Sequence, residues 1–244
     1  NAAATVAEIE HAGGSADLAS VEVTDDAAIH AMVAATLDRR GRIDILVNNA
    51  GIARDQLLLR MKRDDWDQVM ATNLTAAFMA SQAVLKTMVR QRSGRIISIG
   101  SVVGQMGNAG QANYGAAKSG IATFSQICAK ELARYHVKSN CIAPGARTRL
   151  TLATPGLAEI LAPKEGQFDK WDPANISPLV AYLASEQCVF NGETFFVQGG
   201  EVRRVQSWTM VEAVEQNDRW TVADLAKAIT ALVPPAPVKG PNID

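Results

Sequence analysis

The chain has 244 residues, 48% hydrophobic and 20% charged, enough for one large domain or two small ones with a substantial core. Its 24 Lys and Arg nearly balance its 25 Asp and Glu, for a formal net charge of −1. That leaves no basic field for nucleic acid and no polybasic patch for a membrane, and no apolar run reaches the roughly 18 residues of a membrane helix. His11, His30 and His136, like Cys128, Cys141 and Cys188, are too scattered to suggest metal ligation. Widely spaced thiols and no visible signal peptide give the expectation of a reducing, cytoplasmic compartment. "NLT" at 73–75 and "NIS" at 175–177 read as chance matches to the glycosylation pattern in a chain without secretory features.

In chain order, "AAATVAEIEHAGG" (2–14) reads as a helix stopped by two glycines. "LASVEVTDD" (18–26) reads as a short strand, "AAIHAMVAATLDRRG" (27–41) as a helix, and "RIDILVNNAG" (42–51) as an apolar strand entering a polar turn. A long helix is predicted over 63–94, a strand over "GRIISIGS" (94–101), and a second long helix over 111–135. A strand over 137–145, a helix over 177–187 and a strand over 192–200 complete the series. Apolar strands alternating with helices predict an α/β fold, a doubly wound parallel sheet of Rossmann type. Composition shifts near residue 201. The expected division is a Rossmann-type domain over 1–207 and, over 208–244, a helix (222–233) with a Pro-rich tail.

"QANYGAAKSG" (111–120) places Tyr114 and Lys118 one helical turn apart, on one face. A phenol titrates near pH 10, and a neighbouring cation favours its charged form, so such a pair can exchange a proton with a carbonyl or alcohol oxygen. Taken alone, the pair better fits a surface tyrosine beside a solvated lysine, since the spacing occurs often by chance. Ser101 ends the preceding strand, where ligand crevices of open α/β sheets lie. Asn73 sits among apolar neighbours in the first long helix and needs a partner there. The glycines 100, 104, 107 and 110 superficially look like a phosphate loop, but the acidic ribose partner is missing; they read as a close-packed cleft floor.

"NNAG" (48–51), "NL" at Asn73, Ser101, "YGAAK" (114–118) and "APG" (143–145) together resemble the short-chain dehydrogenases/reductases, over roughly residues 1–207. The resemblance implies a catalytic set of Asn73, Ser101, Tyr114 and Lys118. Tyr114 is then the acid/base and Ser101 orients the substrate oxygen. Lys118 lowers the tyrosine pKa and holds the nicotinamide ribose, and Asn73 fixes a relay water. It also implies an NAD or NADP site. Glu22 and Val23 would lie at the adenine edge, Asn48, Ala50 and Gly51 beside the adenosine ribose, and Pro144, Gly145 and Thr148 along the nicotinamide.

The middle of the chain is similar to bacterial 3-oxoacyl-carrier-protein reductases. "DPANISPLVAYLAS" and "NGETFFVQGGEVRRVQSWT" resemble the (3R)-hydroxyacyl-CoA dehydrogenase domain of multifunctional β-oxidation enzymes. Both imply an acyl thioester substrate and a homodimer or homotetramer built through the long helices. A non-catalytic relative, or an enzyme of the same fold acting on another alcohol or ketone, remains an alternative. Residues 149–172 are expected to form a mobile lid over the acyl group. The family's glycine-rich turn would precede "NNAG" by more residues than stand before Asn48. The expectation is therefore a longer natural N-terminus, and an open edge on the strand at 43–47.

Overall fold

In the strand "GRIISI" successive side chains leave on opposite sides of the pleat, and both sides are buried: Ile96 and Ile97 are 1% and 0% exposed. The computed structural model describes residues 2–152, 156–206 and 208–232. Its single sheet runs in the order β1 (Ile45–Asn48), β2 (Gly94–Ile99), β3 (Val137–Pro144), β4 (Thr194–Gln198) and β5 (Glu201–Val205). The first four strands are parallel and β5 is antiparallel to β4. Helices cover both faces, as the apolar runs predict. On one side Ile96 and Val137 pack with Val33 of α2 (Asp26–Arg40), Val84 and Met88 of α4 (Ala76–Gln91), and Cys128 and Leu132 of α6 (Ala112–Leu132). On the other, Ile97 and Ile142 meet Leu179 and Leu183 of α9 (Ser177–Ala184) and Phe195 of β4. Each such isoleucine contributes roughly 1.5–3 kcal/mol by leaving water.

Helix ends follow local chemistry. α2 starts where the Asp25 carboxylate accepts from Ala28 N at 3.1 Å, and it stops at Gly41, which adopts φ +74°. α1 (Ala2–His11) ends before Gly13 and Gly14. α10 (Val222–Ile229) is capped by Thr221, whose hydroxyl accepts from Asp224 N.

Three expectations are corrected. Residues 18–26 form no strand, because no described strand lies beside them and a strand exists only within a ladder. The predicted helix over 63–94 is divided into α3 (Arg63–Met70), a π-helical turn (Ala71–Thr75) and α4. β5 was not expected; Gly199-Gly200 forms a two-residue hairpin turn that folds "EVRRV" back onto β4. The expected open edge is present: among the described strands β1 pairs only with β2, and Ile45 and Val47 are 46% and 41% exposed.

Candidate active site

The ends of β1 and β2 and the first turns of α6 converge on one cluster. Asn73 lies in the π-helical turn, a feature that frequently marks functional positions in helices. It is 2% exposed, its Oδ1 accepts from Ile52 N at 2.9 Å, and its Nδ2 donates to Ile52 O at 2.8 Å. The buried asparagine therefore finds its partner in the backbone just after "NNAG". Gly51 makes this approach possible, since a methyl placed on it would lie 2.8 Å from Asn73 Oδ1 and 3.6 Å from Lys118 Nζ. Lys118 is buried, and its Nζ donates to Ile99 O at 2.6 Å and stands 5.7 Å from the centre of the Tyr114 ring. The Ser101 hydroxyl lies near enough to the Tyr114 phenol to lower its pKa. Ser101 Oγ also accepts from Val103 N at 3.2 Å, which ties the serine to the start of the short helix α5 (Val103–Met106).

Asn73, Ser101, Tyr114, Lys118 and Gly51 are thus brought together; the other predicted positions have different surroundings. Asn48 donates to Ser81 Oγ at 3.2 Å and to Ser98 Oγ at 3.3 Å, which ties β1 to α4 and β2. Ala50 is exposed, at the open end of β1. Pro144 pairs in register with Val197, and a side chain on Gly145 would meet Gln198 at 3.3 Å. Thr148 caps α7 (Arg149–Leu152), its Oγ1 accepting from Thr151 N at 3.3 Å. Glu22 turns onto Thr24, whose N and Oγ1 donate to its carboxylate and hold its pKa below the usual range. Val23 follows it in the segment that forms no strand.

The described residues of the 149–172 segment include helical turns. It contains α7 and α8 (Leu157–Ile160), and Pro155 lies outside the described residues. Arg147 pins it, donating to Leu161 O at 2.6 Å and to both Asp169 carboxylate oxygens at 3.1 and 2.6 Å. Of the four glycines after β2, Gly100 and Gly104 are close-packed as expected. Gly107 and Gly110 instead serve turns at φ +71° and +86°.

The electrostatics depart from expectation. The Tyr114 phenol is raised above its ordinary value, chiefly by burial; the Ser101 hydroxyl lowers it and the Asp55 charge raises it further. Burial outweighs the other influences on the resting phenol. Burial pushes Lys118 itself down from 10.5 to about 8, and its Nζ is engaged by the Ile99 carbonyl. A raised phenol remains protonated at neutral pH, the state needed to donate a proton.

The lysine charge also opposes folding. Below about pH 8 both folded and unfolded chains carry it, and the folded chain bears the desolvation cost. Between about 8 and 10.5 the unfolded chain binds more protons, so stability rises with pH. The shift corresponds to on the order of 3 kcal/mol, and orphaning the Ile99 carbonyl removes about 1–2 kcal/mol of the gain on replacement. Lys118→Met is therefore expected to melt a few degrees above wild type at pH 7, with the difference shrinking toward pH 10.5. Thermal denaturation across pH checks this; a constant or growing difference contradicts it.

Residues 1–154 match the family model for short chain dehydrogenase. The chain is 47% identical to a 3-oxoacyl-[acyl-carrier-protein] reductase of Vibrio cholerae over 189 residues, 74% of this chain and 75% of the relative. It is 44% identical to a 3-oxoacyl-[acyl-carrier-protein] reductase of Synechocystis over 205 residues, 82% and 81% of the two chains. A crystal structure of a short chain dehydrogenase from Mycobacterium avium superposes with a TM-score of 0.84 at 34% identity, covering 98% of this chain and 82% of that one. A buried Tyr-Lys pair one turn apart, a serine on the phenol and an asparagine-bound loop at the strand ends stand in a chain that belongs to the short-chain dehydrogenase family.

Proposed function

We propose that the protein is an NAD(P)-dependent oxidoreductase that reduces 3-oxoacyl thioesters to 3-hydroxyacyl thioesters. The observation that carries this reading is the Tyr114 phenol, buried, protonated at neutral pH and beside the Ser101 hydroxyl. The relatives named as 3-oxoacyl-[acyl-carrier-protein] reductases support the substrate class. A carrier protein or coenzyme A can supply the thioester.

The residues at the strand ends fit a nicotinamide nucleotide. Gly51 is exposed and leaves beside Lys118 and Asn73 a cradle that a Cβ would fill. Ala50, Gly51 and Lys118 would hold the cofactor on that side, and Pro144, Gly145 and Thr148 on the β3 side. When bound, the nicotinamide supplies the hydride to the substrate carbonyl carbon.

Tyr114 donates its phenolic proton to the carbonyl oxygen, and the Ser101 hydroxyl holds that oxygen in place. The new phenolate is stabilised by Ser101 and by the Lys118 ammonium 5.7 Å from the ring, which favours the charged form at that moment. Asn73 keeps the 51–52 backbone against Lys118, so the ammonium and the phenol share one rigid frame.

A homodimer or homotetramer is part of the same reading. Phe78 of α4 and Ile127 of α6 are 44% and 48% exposed on the helices where family members associate, and a second copy covers them. Among the described residues no helix is long and apolar enough to cross a membrane. The test mixes the protein with NADH or NADPH and acetoacetyl-CoA, with simple ketones as controls. Loss of reduced-cofactor absorbance is expected with the thioester. Turnover of the ketones alone would contradict the substrate assignment.

A further inference from the structure

Asn113, next to Tyr114 in the first turn of α6, is 0% exposed. A carboxamide has two N–H donors and one oxygen, and the structure uses all three. Its Oδ1 accepts from Tyr114 N at 2.7 Å, one of the first-turn N–H groups for which a helix offers no internal acceptor. Its Nδ2 donates to Arg54 O at 3.0 Å and to Asp65 O at 3.2 Å. One side chain thus joins three pieces of main chain: the start of the tyrosine helix, the loop after β1, and α3.

Two further bonds run beside it. Gln111 Nε2 donates to Asp55 Oδ2 at 2.9 Å, and Gln56 N donates to Gly110 O at 2.8 Å. The loop stitched here is the one that carries Gly51, and Ile52 on Asn73. The entrance of α6 and the strand-end loop therefore move as one body, with Asn113 as its only fully buried side-chain link among those described.

We infer that Asn113 is a positioning residue for catalysis: its carboxamide locks the start of α6 to the loop after β1, and so holds the Tyr114 hydroxyl against Ser101 in the same frame as Gly51 and Asn73. This rests on Tyr114 being the proton donor. A buried asparagine that merely satisfies the core would cost stability when removed and leave the phenol's surroundings alone. A positioning asparagine changes those surroundings. The charged or titratable groups facing the phenol are Lys118 on its own helix and Asp55 on the stitched loop, with the Ser101 hydroxyl at the end of β2.

The experiment compares wild type with Asn113→Ala and Asn113→Asp. It measures kcat, the cofactor KM and the ultraviolet titration of tyrosine, with the Tyr114→Phe spectrum subtracted to isolate one of the chain's three tyrosines. In Asn113→Ala, kcat is expected to fall about 10- to 100-fold, as misplacement of a reacting group does. Cofactor KM should stay unchanged, and the Tyr114 titration should move down toward the ordinary tyrosine range. Asn113→Asp keeps the acceptor for Tyr114 N but turns a carboxylate on two carbonyls. Its rate relative to wild type should recover as pH falls and the carboxyl regains a donor. If either folded variant keeps the wild-type Tyr114 titration and kcat, or loses rate only through cofactor KM, the inference is overturned. A fully active Tyr114→Phe overturns the assignment on which the inference rests, a result separable from a wild-type titration in Asn113→Ala, which overturns the inference alone.

Discussion

Tyr114→Phe is expected to lose about 10²–10⁴-fold in kcat, the usual value of a positioned acid/base group, while binding NAD(P)H as wild type does. The phenyl ring fills the same buried site, which is 9% exposed in wild type, so α6 and Lys118 keep their places. What disappears is the one hydroxyl that stands beside Ser101 and can hand over a proton. Neither neighbour replaces it. The Ser101 hydroxyl is too weak an acid, and the Lys118 ammonium is engaged by Ile99 O at 2.6 Å. Steady-state kinetics with fluorescence titration of the reduced cofactor separates the two effects. A variant retaining more than about a tenth of the wild-type rate contradicts the assignment of Tyr114 as acid, given the normal worth of such a group.

Gly104→Ala is expected to be the most damaging small substitution in the site. Its added methyl would stand 2.5 Å from Lys118 C, 2.6 Å from Ser119 N and 2.9 Å from Lys118 O. All three are backbone atoms, so no side chain can swing aside, and α5 must move off α6. Forcing extra volume into such a contact costs typically about 1–3 kcal/mol, or roughly 2–4 °C of Tm per kcal/mol in a chain of this length. The displacement also reaches the chemistry. α5 hangs directly from Ser101, which binds Val103 N and Gly104 N through its side chain and carbonyl, while α6 carries Tyr114 and Lys118. Separating the two helices pulls the serine from the phenol, so kcat falls together with Tm. Gly115→Ala is the control. Its methyl would meet Val103 at an ordinary 3.5 Å, and alanine in a helix is favoured over glycine by about 0.8–1 kcal/mol, so this variant should melt at or above the wild-type temperature. Calorimetry on both variants checks the contrast; equal melting temperatures would contradict the close-packing account.

Much of this architecture was legible in the sequence because it rests on local patterns. The apolar runs at 45–47 and 96–97 read as strands of a covered parallel sheet, β2 being buried on both faces, and the helices between them impose parallel pairing. The Tyr114–Lys118 spacing fixes one helical face. Ser101 and Asn73 were found from a strand end and from a polar residue in apolar surroundings. What the sequence hid depends on contacts between distant segments. "ASVEV" has strand-like residues but no ladder partner among the described strands. The π-helical turn at Asn73 exists because that side chain reaches Ile52, 21 residues away. The raised phenol reflects burial, which spacing alone does not report, and the sequence rule of a lysine depressing its neighbour pointed the other way. The close packing at Gly104 follows from the sequence, which reads the glycines after β2 as a cleft floor; which backbone packs there, that of α6, is visible only in the fold. Asn113 carried no signal beyond its adjacency to Tyr114; only its two carbonyl partners mark it.

The central claim is that a reduced nicotinamide bound beside this cluster would supply hydride to a thioester's 3-oxo carbon while Tyr114 protonates the oxygen. The most direct test supplies NADH or NADPH deuterated at both C4 positions, with acetoacetyl-CoA in ordinary water, and reads the product by mass spectrometry. The account predicts a 3-hydroxybutyryl thioester carrying one deuterium at C3 from the wild-type protein, and almost none of it from Tyr114→Phe. Product lacking deuterium, or equal labelled product from both proteins, would contradict it.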